Sequence, residues 1–331
     1  MYVAEDRGRI VGSYLLILQT LLVSGQACLA AHSVGTVVHA DYTRHLTREG
    51  GKLQTVFARL AEMACDECVQ RGIALTFSFP NDKSYPTFVK LLGFTDMGLL
   101  PVYARPVRPG AFVAARLPGP RPVGWIIGSA ANLALALASL WPAGRSPRGA
   151  DVEEVTDADA RFDALWQRCQ PIDGVMRRRD AAYVRWRMLE HPSFRYRVLL
   201  ASRGATPIAW LATMTTTQKD RTRGTTHVVG HVVDFLCGPD AEAGQVLAGL
   251  VGRAVGEMHR DRVEFIIAGH SGPGPASAAL RRGGLHRFSA KRAPRKWPAI
   301  VRVHRPDLLP TGARVDVLDR WYFNLADNDT V

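Results

Sequence analysis

The sequence predicts an α/β protein, more closely an α+β mixed sheet, built from two similar units joined by an apolar helical linker. Three observations carry this. The segment His32-Ser33-Val34-Gly35-Thr36-Val37-Val38 returns as His227-Val228-Val229-Gly230-His231-Val232-Val233, with five of seven residues identical at an offset of 195. The same order of elements surrounds both copies, and an internal repeat of that kind organises a whole chain. Between the copies lies a stretch rich in Pro, Gly and Arg at both ends, as linkers are, whose middle, 123–141, holds 19 residues without a charge.

Each element follows from local pattern. Arg9–Leu18 reads as a strand after the turn Glu5-Asp6-Arg7-Gly8, and 32–38 as a buried strand, being short, apolar and β-branched. Val56–Gln70 reads as a helix, because Val56, Phe57, Leu60, Ala61, Ala64, Cys65 and Cys68 recur at three- and four-residue steps. Ile73–Phe79 is the next strand, followed by Pro80-Asn81-Asp82, a short helix ending at Gly93, and a last strand over 101–106. The second unit repeats this with strands at 207–214 and 227–233, a helix at 246–260, a strand at 263–268 and a short helix ending at Gly283-Gly284. Two further helices are expected at 162–169 and 180–189. The resulting division is 1–108, linker 109–150, 151–305 and a tail 306–331.

The chain has 331 residues, 42 Lys and Arg against 30 Asp and Glu, and a net charge of +12, which favours anionic partners without choosing among them. Five scattered cysteines argue against a secreted disulfide framework. With no signal peptide apparent, the expected location is cytoplasmic. An apolar helix packed between the units is the first reading of 123–141. A helix lying at the inner membrane face, flanked by Arg116, Arg121, Arg145 and Arg148, is the second. Cys65-x-x-Cys68 sits on a helix's apolar stripe and reads as core, so no metal site is expected. The basic run Lys291-Arg292-x-x-Arg295-Lys296 beside Trp297 reads as surface, and no specific nucleic-acid partner is expected. The aromatic and acidic tail 321–329 either folds back onto a domain or lines an acceptor site for a cation.

The loop 41–55 follows a strand and opens a helix. Helix N-termini expose unpaired N–H groups with partial positive charge, glycines allow close backbone approach, and Arg44, Arg48 and Lys52 add full charges. The construction suits a pyrophosphate.

These residues resemble the GNAT superfamily of acetyl-CoA-dependent N-acetyltransferases. Arg48-x-x-Gly51 is similar to the family's phosphate loop, with Leu53 departing from its final small residue. Val37-Val38-His39-Ala40-Asp41-Tyr42 is similar to the end of the family's fourth strand. The run from Ser78 through Asn81 to Leu92-Gly93-Phe94 looks like its fifth strand, following Asn and closing helix. The resemblance covers residues 5–106 well and 152–304 more loosely. It implies that the family's opening strand and paired helices are missing before the first unit, and that 152–190 supply that acceptor wall instead.

The resemblance implies acetyl-CoA, or another acyl-CoA, held by Val37, Val38, Arg44, Arg48, Gly50, Gly51, Lys52, Leu53, Gln54 and Asn81. It further implies direct attack of a primary amine, borne by a small molecule or a protein, on the thioester. His39, Asp41 and Glu62 are the nearest candidate bases. Tyr85 is the candidate acid, because Val89 and Phe88 stand where the family carries a tyrosine. The alternatives are a catalytically degenerate scaffold that retains CoA binding, and a basic module at a membrane surface or on nucleic acid.

Overall fold

The computed structural model describes residues 1–43, 46–49, 52–108, 149–170, 173–220, 224–289 and 296–328, and singly 110, 127, 129, 130 and 133. The first half opens with β1 (Tyr2–Asp6), β2 (Arg9–Val23) and β3 (Gln26–Val38), an antiparallel meander. The β2–β3 connection is the two-residue turn Ser24-Gly25 with φ of 47° and 81°, the positive pair that matches strand twist. A small hairpin of β4 (Leu46–Glu49) and β5 (Lys52–Thr55) leads into helix α1 (Val56–Gln70). The Thr55 hydroxyl caps α1 by accepting from the Ala58 N–H at 3.2 Å. Of its buried stripe, Val56, Leu60, Ala61, Ala64 and Cys65 pack with Tyr14 and Phe88, and Cys68 with Ala31 and Ile73. Then follow β6 (Leu75–Ser78), α2 (Tyr85–Lys90), β7 (Thr95–Leu99) and β8 (Val102–Pro106).

The second half contains β9 (Asp151–Val155), α3 (Ala160–Cys169), β10 (Val175–Arg177) and α4 (Ala181–Val184), which runs on as a π-helical turn, Arg185–Leu189. It continues through β11 (Arg197–Arg203), β12 (Thr206–Asp220), β13 (Thr225–Cys237), α5 (Ala241–Arg260), β14 (Phe265–Ser271), α6 (Ala276–Arg282), β15 (His286–Phe288), β16 (Pro298–Val303) and β17 (Trp321–Asn324). The expected helix over 180–189 is thus split, because the π turn interrupts its hydrogen-bond ladder.

The strand 102–106, read from sequence as the end of the first unit, is placed elsewhere. β8 pairs antiparallel with β14 and β15, inside the second half. Reciprocally, β16 inserts between β6 and β7, inside the first. Each half completes its sheet with a strand of the other. β10 then pairs with the end of β2 on one side and with β17 on the other, so both halves form one continuous mixed sheet. The main core runs through both halves, from Leu75 and Phe77 to Trp210, Phe235 and Trp321. Cys65 and Cys68 are buried free thiols, as core positions should be. Most of the apolar segment 123–141 lies outside the described residues; among those described, no helix is long and apolar enough to cross a membrane.

Candidate active site

The site starts where two parallel strands part. β3 and β6 pair from Ala30 with Leu75 to Ser33 with Ser78, the last rung. The Ser78 hydroxyl donates to the Ser33 carbonyl at 2.8 Å and holds that rung closed. Beyond it β6 ends, while β3 runs on to Val38 along β2, leaving the β6-facing edge of 34–38 without a strand partner among the described residues. Such an edge offers backbone hydrogen bonds to an extended guest. Gly35 has φ of 49° and sits at the register shift between Ser13 and Leu15. This is a bulge, and it re-aims the backbone at the opening.

The opening is a cleft of about 850 Å³ whose lining includes Ser33, Gly35, Thr36, Val38, Phe88 and Asn81. Lys296 and Trp297 line it as well, carried there by exchanged strand β16. The Trp297 indole Nε1 is buried and makes no hydrogen bond among the described residues, so the wall presents an unspent donor to a guest. The basic run that reads as surface in sequence therefore ends at the cleft.

A second cleft of about 720 Å³ lies beside the first, and Val34 and Asn328 line both. One wall is β2 and β3, with Ile17, Gln19 and His32. The other belongs to the second half, with Arg177, Tyr183, Trp186 and Arg187. Residues between 177 and 194 thus face β2 and β3 across this cleft. Here His32 is 4 % exposed and stacked on Phe77 at 4.6 Å, 5° from parallel. Burial, then the Arg177 and Arg187 guanidinium groups, push its imidazole well below the usual value. Sequence reasoning missed His32 as a site residue. The repeat itself marked the position, but gave no sign of which cleft it would face.

The second half's own opening is filled. β13 and β14 pair in parallel up to Val232 with Ala268. Beyond that rung β17 moves in, pairing His270 with Asn324 and Ser271 with Phe323. The Asn324 amide and the Tyr322 hydroxyl both donate to the Phe235 carbonyl, at 3.1 and 3.2 Å. The plug is locked by charge. Arg179, wholly buried, donates from Nε to Asp234 at 3.0 Å and from Nη2 to Asp327 at 2.5 Å. Tyr183 donates to Asp234 at 2.6 Å. The tail folds back onto the second half; of the two readings open in sequence, its acidic residue Asp327 is spent on internal arginines.

Of the expected site residues, Val38 and Asn81 line the cleft. The Asn81 side-chain Oδ1 also accepts from the Lys83 and Ser84 N–H groups, at 3.0 and 3.1 Å, and so shapes the turn before α2. Val37 is 64 % exposed and is not among the lining residues. His39, Asp41 and Tyr85 line neither cleft. The His39 ring bonds Arg9 at 3.0 Å and caps a short turn, Asp41 is solvated beside it, and the Tyr85 hydroxyl donates to Asp96 at 2.7 Å. That bond raises the Tyr85 pKa, against what a proton donor needs. Glu62 pairs with Arg59 on the surface of α1. Arg44, Gly50 and Gly51, and the side chains of Arg48, Lys52, Leu53 and Gln54, lie outside the described residues.

Residues 1–96 match the acetyltransferase (GNAT) domain family. Among solved structures, the GCN5-related N-acetyltransferase of Anabaena variabilis aligns over 92 % of this chain, at TM-score 0.55 and 12 % identity. A probable N-acyltransferase of Enterococcus faecalis aligns over 90 %, at 0.54 and 10 %. The N-myristoyltransferase of Saccharomyces cerevisiae, with bound myristoyl-CoA, aligns over 91 %, at 0.53 and 10 %. This chain spans 62 %, 60 % and 69 % of the three. Likeness at such identity fixes the fold. No curated protein matches the chain.

Proposed function

We propose that this GNAT-fold chain is an acyl-CoA-dependent N-acyltransferase with one working cofactor site, acetyl-CoA as its donor and a primary amine as its acceptor. One observation carries the reading. The parting of β3 and β6 opens a cleft that meets a second cleft at Val34, while the equivalent parting of β13 and β14 is plugged. Two openings that converge on one strand are what a two-substrate transfer requires.

An acyl-CoA supplies an activated thioester. The unpaired edge of 34–38 would hold its extended arm, and the bulge at Gly35 would turn a backbone N–H toward the carbonyl, as an oxyanion hole does. Asn81 and the Trp297 indole would steady the arm. Lys296, with the cationic loop 44–52, would meet the diphosphate. The acceptor would enter from the His32 side. An alkyl ammonium has a pKa near 10 in water, and only the free amine attacks. The burial and cationic field that lower the His32 pKa lower that of a bound ammonium too. The cleft thereby helps deliver the nucleophile uncharged, and His32, neutral, can accept its hydrogen bond.

Titration calorimetry with acetyl-CoA tests the reading. Binding at a stoichiometry of one, lost in Arg48→Glu, is expected, with CoA released only when an amine is present. Stoichiometry of two would show that the tail does not close the second site. Binding without turnover across an amine panel would favour the scaffold reading, which the absence of Tyr85 from the cleft also favours.

A further inference from the structure

Strand β2 outruns its partners along its outer edge. β1 covers that edge from Arg9 to Tyr14 and β10 from Leu21 to Val23, both antiparallel. Between them the edge of 15–20 has no backbone partner among the described residues. The Ser24 N–H points to that side, donating to the Gly174 carbonyl at 2.7 Å. Backbone groups alternate sides along a strand, and the β2–β3 register is unbroken from Leu15 to Val23. The N–H and C=O groups of Leu16, Leu18 and Thr20 therefore face outward as well. Native edges are blunted by charge, Pro or a bulge. Leu15-Leu16-Ile17-Leu18-Gln19-Thr20 has none of these, and Leu18 is 48 % exposed. The same segment borders the acceptor cleft, which Ile17, Leu18, Gln19 and Thr20 line opposite Tyr183 and Trp186. Leu15 lies across from Val34 and Ile17 from His32, so these side chains share one face of the sheet with Gln19. His32 is 4 % exposed, and its Nε2, like that of Gln19, is buried with no hydrogen-bond partner among the described residues. An unspent strand edge beside unspent polar groups calls for a guest that brings both a backbone and a polar side chain.

Resting on the transferase reading, we propose that the acceptor is an extended polypeptide that adds as a strand to the open edge of β2 at 15–20 and carries its amine on a lysine side chain. Neighbouring strands lie about 4.8 Å apart, so the guest backbone runs two spacings, about 10 Å, from β3. A lysine's four-carbon stem, laid over Ile17, carries Nζ toward His32 and Val34, whereas an α-amine held at the edge stops short. Nζ, as the free amine, bonds to the thioester carbonyl carbon. The C–S bond breaks, and the proton lost from nitrogen leaves with CoA as its thiol.

The test titrates the whole protein, with and without saturating CoA, with the peptide acetyl-Thr-Val-Lys-Val-Thr-Val-amide, read by tryptophan fluorescence. Leu18→Pro removes an outward N–H and leaves the β2–β3 ladder whole, so it should weaken binding about tenfold or more. Leu18→Ala keeps that N–H and should change binding by about threefold or less. Acetyl-CoA binding retained in Leu18→Pro shows that the variant folds. A pair of peptides N-methylated on alternate residues needs no variant: the one blocked along the pairing edge should lose binding, and the other should keep it. In a thiol-release assay with acetyl-CoA, the unmodified peptide should exceed Nα-acetyl-lysine amide in kcat/KM by about tenfold or more. Peptide binding or turnover no better than that of the amide overturns the proposal. So do equal losses in the Pro and Ala variants, equal behaviour of the two methylated peptides, or a dimer of the chain that Leu18→Pro dissolves. Edge binding of the peptide by a protein that does not bind acetyl-CoA would instead refute the transferase reading.

Discussion

Replacing Arg179 with Met removes the cation at the centre of the plug and keeps most of its stem. Arg179, Asp234 and Asp327 are 0 %, 0 % and 1 % exposed. Arg179 spans both carboxylates, donates from Nη1 to the Arg177 carbonyl at 3.2 Å, and lies 5.2 Å from the Tyr322 ring centre. Without it, Asp234 keeps the Tyr183 hydroxyl, the Phe235 N–H and the Asn324 amide, and Asp327 keeps the Asn324 N–H, but both carboxylates are left in the interior with Arg177 as their one counter-ion among the described residues. Breaking a buried pair from one side costs about 3–5 kcal/mol. Urea unfolding followed by circular dichroism at pH 7.5 should show that loss. Adding Asp327→Asn should recover about 1–3 kcal/mol, the coupling expected within one network. A loss below about 1 kcal/mol, or no recovery in the double variant, would refute the claim that charge locks the tail.

Four further outcomes follow from the same geometry. His231 and His270 are held at a pKa of about 4 by burial, well below the ordinary value, and so stay neutral in the fold. The unfolded chain takes up protons that the fold refuses between pH 6.5 and about 4, so stability should fall with acid by about 1.4 kcal/mol per pH unit for each histidine, a slope that His270→Gln should reduce in urea titrations at pH 7.5 and 5.5. Gly35→Ala meets no atom nearer than 3.8 Å, so its cost should be the left-handed strain alone, about 1–2 kcal/mol, with acetyl transfer slowed about tenfold or more as the bulge shifts. Trp297→Phe should raise KM for acetyl-CoA about two- to tenfold, the worth of one hydrogen bond, with kcat unchanged. His39→Ala, Asp41→Ala and Tyr85→Phe should leave kcat as it is in a thiol-release assay, and a collapse of kcat in any of them would put that side chain back in the reaction.

What the sequence determined by itself was local. Helix α1 was legible to the residue, because its buried stripe is a run of apolar residues at three- and four-residue steps. The strand with His32 to Val38 and the turn at Asn81 were also legible locally, from a β-branched apolar run and from turn residues. The exchange of β8 and β16 was not, since a strand's own residues prescribe its pleat and burial but not which distant edge it joins. Trp297, Lys296 and the 177–194 wall reach the site only through that exchange and the β10–β17 bridge. The tail's place was also decided in three dimensions, where Asp327 and Asn324 find Arg179 and Asp234 across the sheet. Long-range pairing and buried charge are properties of the assembled fold, and it was these that left one opening free and closed the other.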